Sequence, residues 1–315
     1  MNDSSWPSAR AFFRPTLLTL LTLILAPGTI LAQGNLNPPG PPAPMMKSLD
    51  QLEARTPISS APFSITAPGS YYLTTNLTVS SGNAINISTS GVTLDLNGFT
   101  IRSTAASATG FGILVNNGLS DITICNGHIR GGVTNNGSGV YSGSGFAYGI
   151  TGSGLNPVNT LISRVSVSGC LFYGIHLGTD DTSMAESCTV RTVGGIGIRA
   201  STIKNCAAVD CGDTAIYGDQ VSDCRGESVS GSGLSADVAL NCYGSTSTST
   251  GSFGLYANHA ALNCFGIGGD TALSAFNASF CTASRSGGRA IEANTATGCV
   301  ALSGTNLITH KYNMP

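Results

Sequence analysis

Seven cysteines recur at nearly one interval. Cys188, Cys206, Cys224 and Cys242 are spaced by 18 residues, and Cys264, Cys281 and Cys299 follow at 22, 17 and 18. A second apolar column runs eight or nine residues ahead of the last six: Ile198, Ile216, Leu234, Leu255, Leu273 and Ile291. Two apolar columns locked to one short period mean a solenoid. Each repeat has too little apolar surface to fold alone and buries its face by stacking on its neighbours.

The spacing also decides how the thiols are read. Residues at one coil position lie ~4.8 Å apart with parallel side chains, which is poor geometry for a disulfide. Cys170 and Cys211 share a column but sit two coils apart. The ladder is therefore expected to be unbridged, its thiols acting as small buried apolar groups.

The chain carries 10% charged residues and a net charge of −2, with 41 glycines in 315 residues. No basic patch is present to release counterions from a phosphate backbone, so nucleic acid is excluded as a partner. The 41% hydrophobic fraction is periodic, which excludes a disordered chain. At the start, Arg10 and Arg14 precede the apolar run 17–26, and Ile30-Leu31-Ala32 reads as a cleavage site. Residues 1–32 are expected to be a signal peptide; an uncleaved anchor is the lesser alternative, because the run is short for a span. No membrane span is expected in the mature chain, and a secreted or cell-surface location follows. Residues 33–44 (QGNLNPPGPPAP) read as a Pro-rich linker. The folded domain is expected over 45–315, opening on a short amphipathic capping helix over 45–55.

Coils follow in rows whose first strands carry Ile85, Ile113, Ile150, Ile175, Ile198, Ile216, Leu234, Leu255, Leu273, Ile291 and Leu307. Two residues after each ladder cysteine the side chain shrinks: Val190, Ala208, Gly226, Gly244, Gly266, then Ala283 and Ala301. Both positions point inward at period 2, so the coil is expected to narrow. One residue before the cysteines stand Ser187, Asn205, Asp223, Asn241 and Asn263, which read as a stacked column at a turn.

The segments Pro68-Gly69-Ser70-Tyr71-Tyr72-Leu73 and Val92-Thr93-Leu94-Asp95-Leu96-Asn97-Gly98-Phe99-Thr100-Ile101, with rows opening on Gly-Ile, resemble secreted proteins of the pectin-lyase-like superfamily. The resemblance covers roughly residues 45–310. It implies an all-β, single-domain right-handed parallel β-helix. A left-handed hexapeptide helix also spends 18 residues per coil, but the inward residues here are not spaced by six. The superfamily holds lyases, glycosidases and adhesins, so the resemblance implies a fold more narrowly than an activity.

A glycosidase needs two carboxyl groups at a set separation. A lyase needs a base, a cation to neutralise a uronate and commonly a metal. Asp180-Asp181, in Gly178-Thr179-Asp180-Asp181, resembles the Gly-x-Asp-Asp element of galacturonan-hydrolysing β-helices. Their Asn-x-Asp before it and Gly-His-Gly after it are missing, and no histidine lies between His176 and His259. His176 and Arg199 fall on successive rungs of one outward column, Thr151, His176, Arg199, Tyr217, Ser235, Tyr256, Ser274 and Glu292. Under an enzyme reading His176, Arg199, Asp180 and Asp181 would be the catalytic set, and the lyase form would use Ca²⁺. No other cofactor or metal is expected; the cysteines are too regular for zinc ligands converging on a point.

Insertions concentrate in the N-terminal rows, at 103–109, 131–147, 152–160 and 178–183. They bring Tyr141, Phe146 and Tyr148, expected to bind a ligand by stacking on sugar rings. The leading expectation is a secreted or surface-associated module that contacts polysaccharide or another surface through its N-terminal loops without a complete catalytic motif. A polysaccharide lyase or glycoside hydrolase is the alternative, and a structural spacer a third. Oligomeric state is not readable.

Overall fold

The segment Val92–Asp95 shows how each coil is built. Val92 and Leu94 are buried while Thr93 and Asp95 face out, the period-2 pattern of a strand with one wet face. A computed structural model describes residues 54–154, 157–179, 182–248 and 250–313. The expected signal, linker and capping helix lie outside the described residues, except for residues 54 and 55, which lead into the strand Thr56–Ile58.

In the main sheet each strand pairs in parallel with its counterpart one coil on. A parallel pair needs a crossover, and crossovers are right-handed. The result is a right-handed parallel β-helix with three faces. The first face begins with Phe63–Ile65, Ile85–Ile87, Phe111–Val115 and Tyr148–Gly152. Its inward column runs in register from Ile85 through Ile113, Ile150, Ile175, Ile198 and Ile216 to Leu234, Leu255, Leu273 and Ile291. All are fully buried, and each such side chain contributes about 1.5–3 kcal/mol.

The column does not continue to Leu307. The last coil slips by one residue, so Asn306 stands opposite Ile291, and Leu307 stands opposite Glu292 on the outer side, where it is exposed.

Between the second and third faces the chain turns through a left-handed residue in each coil: Asn97 (with Gly98 after it), Asn126, Arg164, Ser187, Asn205, Asp223, Asn241, Asn263 and Phe280. Asparagine and aspartate tolerate this conformation. Their side chains also join across coils: Asn205 Nδ2 donates to Ser187 Oγ at 3.2 Å, Asn241 Nδ2 to Asp223 Oδ1 at 3.0 Å and Asn263 Nδ2 to Asn241 Oδ1 at 3.0 Å.

The ladder cysteines follow this turn and are buried, and all ten thiols are free. They are more than apolar filler. Cys206 Sγ lies 3.1 Å from the Lys204 carbonyl and 3.5 Å from that of Ala185, and Cys224 Sγ lies 3.0 Å from the Ser222 carbonyl. The thiols thus partner carbonyls at the tight turn, a weak but repeated hydrogen bond.

The taper is real. Val190, Ala208, Gly226, Gly244, Gly266, Ala283 and Ala301 stack in register. A β-carbon on Gly226 or Gly266 would meet the carbonyl oxygen of Gly233 or Ala272 at 2.0 or 2.1 Å. The third face therefore closes directly on the backbone of the first.

Candidate functional site

The first face carries the outward column Thr151, His176, Arg199 and Tyr217 on four successive coils. A second outward position lies two residues before each inward isoleucine. There stand Phe111, Tyr148 and Tyr173, ahead of Ile113, Ile150 and Ile175. Parallel strands bring such residues one spacing apart, so their rings meet.

Phe111 and Tyr148 stack with ring centres 4.7 Å apart and planes at 13°. Tyr148 meets Tyr173 at 5.6 Å and Phe172 at 5.2 Å. Tyr173 stacks on the His176 ring at 4.7 Å and 19°. Arg199, beside His176, lays its guanidinium over Tyr217 at 5.0 Å. One strip of rings and a cation thus crosses five coils. Phe172 is 46% and Tyr217 39% exposed, so the strip is open to solvent at these two rings. The arrangement offers flat π-faces for an apolar or CH-rich surface and a guanidinium for oxygen acceptors.

Burial, with the charge of Arg199 beside it, holds the His176 imidazole below its ordinary value of 6.5, so the ring is neutral at pH 7. Arg199 Nε and Thr151 Oγ1, on either side of His176, are buried and find no hydrogen-bond partner among the described residues. Such orphans are rare in folded proteins.

His176 and Arg199 are therefore together, as their spacing predicts. Asp180 and Asp181 lie outside the described residues. Tyr148 takes part, but from a strand rather than a loop. Phe146 does not: it is 0% exposed and the largest fully buried side chain. The insertion returns to the coil at Gly145, and Phe146 is the first side chain to plug the core there, which corrects its assignment as a ligand-binding residue.

Tyr141 has a different task as well. Residues Gly132–Asn135 and Tyr141–Ser144 form an antiparallel hairpin. Tyr141 Oη donates to Asp210 Oδ1 at 2.9 Å, Asn135 Nδ2 donates to the same oxygen at 2.7 Å, and Thr192 Oγ1 donates to Asp210 Oδ2 at 2.8 Å. The side chain lies against Gly194 and Gly212: an added β-carbon would come within 3.0 Å of the Tyr141 Cβ at Gly194 and within 2.9 Å of the ring at Gly212. Tyr141 is half-buried and fastens the hairpin to the coils, so it is removed from the set of free sugar-stacking rings.

Sequence reasoning missed Phe111, Phe172 and Tyr173. The signal was present: three successive rows place an aromatic residue two before the inward isoleucine. The pattern is repeated at Phe253 and Tyr256, around Leu255, with rings 5.0 Å apart. Among the described residues no group of three or more His, Cys, Asp or Glu side chains could hold a metal. No helix among them is long and apolar enough to cross a membrane.

No protein-family model and no curated protein matches the chain. Among solved structures it is similar to the enzymatically active domain of tailspike protein 2 of bacteriophage CBA120, at 14% identity and a TM-score of 0.37 over 78% of this chain and 41% of that one. It is similar also to tailspike gp49 of the Acinetobacter baumannii bacteriophage Fri1, described as a capsular polysaccharide depolymerase, at 13% identity and a TM-score of 0.40 over 77% and 57%. The Dettilon tailspike gp208 gives 12% and 0.36 over 82% and 61%. The chain spans less than two thirds of the length of each.

Proposed function

We propose that this protein is a secreted or surface-located β-helix module that binds polysaccharide along its first face. The observation that carries the reading is the continuous strip Phe111–Tyr148–Tyr173–His176–Arg199–Tyr217. A polysaccharide is a periodic ligand, and a coil presents the same position again at each turn. Stacking rings supply sequence-tolerant contact area, and the Arg199 and His176 nitrogens supply hydrogen bonds to ring oxygens. The secretory signal over 1–32 and the linker over 33–44 belong to the same reading.

The test is a panel of purified polysaccharides, scored for binding and for cleavage. Binding to at least one member is expected, with a loss of about tenfold in affinity for Tyr148→Ala and for Tyr217→Ala, in line with aromatic anchors elsewhere. No bound polysaccharide, or binding indifferent to both changes, removes the proposal.

One observation favours a second reading, a polysaccharide lyase. His176 is a neutral imidazole able to accept a proton, and Arg199 beside it is the cation that steadies a developing oxyanion. No group of three or more His, Cys, Asp or Glu side chains among the described residues offers a Ca²⁺ site. Release of unsaturated sugar ends by the wild type, abolished in His176→Ala with the fold intact, would select this reading over the first.

A further inference from the structure

On the third face the outward column Thr78, Arg102, Arg130, Ser168, Arg191 stacks in register. Arg102 and Arg130 are direct neighbours on adjacent strands, ~4.8 Å apart along the axis. Like charges placed opposite one another repel. A fold normally relieves such a pair with a carboxylate. Here neither guanidinium has an ion-pair or hydrogen-bond partner among the described residues, whereas Arg225 and Arg289 each have a glutamate. Arg191 lies near Asp210.

The pair also has a place to act. Arg102 and Arg130 wall a cleft of about 690 Å³ with Asn76, Thr100, Gly132 and Ser144, the last two from the base of the hairpin. A neighbouring recess of about 380 Å³ shares Thr100 and Arg130 and adds His128, Ser166 and Ser168. No Asp or Glu lines either one. Two cations, hydroxyl groups and an amide describe a receptor for an oxyanion carried on a hydroxylated ligand. Guanidinium forks match carboxylate and sulfate oxygens.

We propose that this cleft is a second binding site, separate from the aromatic strip, for a sugar unit of an acidic glycan bearing a carboxylate or a sulfate. The net charge of −2 and the lack of a wider basic surface suit a local anion site better than one that tracks a phosphate backbone.

The test titrates the full chain with polygalacturonate, heparin and dextran, at low and at physiological salt. Polygalacturonate or heparin is expected to bind, more weakly as salt rises, while neutral dextran does not compete at this cleft. Binding of polygalacturonate identifies carboxylate as the recognised group; binding of heparin alone identifies sulfate. Arg102→Gln and Arg130→Gln should each weaken it at least about tenfold, and Arg102→Lys should weaken it less, since it keeps the charge and loses the fork. Lys204→Gln, an exposed cation on the second face, should have no effect. Circular dichroism melts of each variant separate a lost site from a lost fold. No binding of either polyanion overturns the proposal. Binding that survives both Arg→Gln changes also overturns it, even where Tyr148→Ala abolishes that binding, so failure here and failure of the first-face strip are read apart.

Discussion

The carbonyl oxygen of Gly254 lies 2.2 Å from where a β-carbon on Gly244 would stand. No side chain fits that gap without moving backbone. Gly244→Leu should therefore destabilise the protein by at least about 2 kcal/mol. Ser247→Leu, at an exposed position three residues on, should cost little. Thermal melts of the two variants decide it, and equal small losses at both would show that the column is not interior.

Phe146 provides the complementary case. Its ring fills the core where the hairpin rejoins the coil, so Phe146→Ala should cost about 3–5 kcal/mol of stability. Glycan affinity of the fraction that remains folded should be unchanged. A stable Phe146→Ala protein that had lost only its ligand would return this residue to the site.

Thiol counting tests the ladder. Alkylation of the denatured, unreduced protein should label all ten cysteines. In the native protein at mild alkaline pH the reaction should be slow at Cys170 and Cys211, since burial pushes the Cys170 thiol up to about 12 and raises that of Cys211 as well. One or two reactive thiols after denaturation would mean that bridges exist.

The hairpin should loosen in acid. Burial alone would raise the Asp210 carboxyl, but hydrogen bonds from Asn135, Thr192 and Tyr141, with the charge of Arg191, hold it below its ordinary value of 3.8. The folded form thus binds its proton more weakly than the unfolded one. The stabilisation is present above about pH 4 and is lost as pH falls through the lower folded value. Amide exchange over 132–144 should accelerate in that range, and in Asp210→Asn it should already be fast at neutral pH.

His176 should leave a different signature. Its value is lowered on folding, so below 6.5 the unfolded chain takes up a proton that the folded chain refuses. Stability should therefore decline as pH falls from 6.5 to the folded value, and His176→Gln should flatten that part of the profile. An unchanged slope in denaturant titrations across the range would show the ring to be freely solvated.

Much of this molecule is legible from spacing, and the exceptions share a cause. Cys188 to Cys299 and Ile198 to Ile291 declare their coil positions because every member is interior and every step repeats. His176 and Arg199 meet because they occupy one such position. Leu307 was misplaced because a single-residue slip in the last coil exchanges inside for outside, and a column extrapolated by counting cannot sense it. Phe146 and Tyr141 were misread because an insertion looks like a solvated loop until its own hydrogen bonds are known. The Asp210 anchor lies 69 residues from Tyr141, and no local pattern links them. Tyr173 went unseen because its ring is a neighbour of Tyr148 only once the coils are stacked.

The narrowing core also sets how far this protein reaches. Between Cys224 and Cys264 each coil is close to its minimum, with glycine two residues after the ladder cysteine and asparagine or aspartate at the turn, and touches only the coils beside it. Such a segment behaves as a ruler. Adding or deleting one 18-residue unit shifts everything beyond it by one strand spacing, about 4.8 Å. The ring-bearing coils toward the N-terminus keep their own neighbours and stay as they are. The distance between the first-face aromatic strip and the last coil can thus change in steps, by coil number, with no redesign of the strip itself.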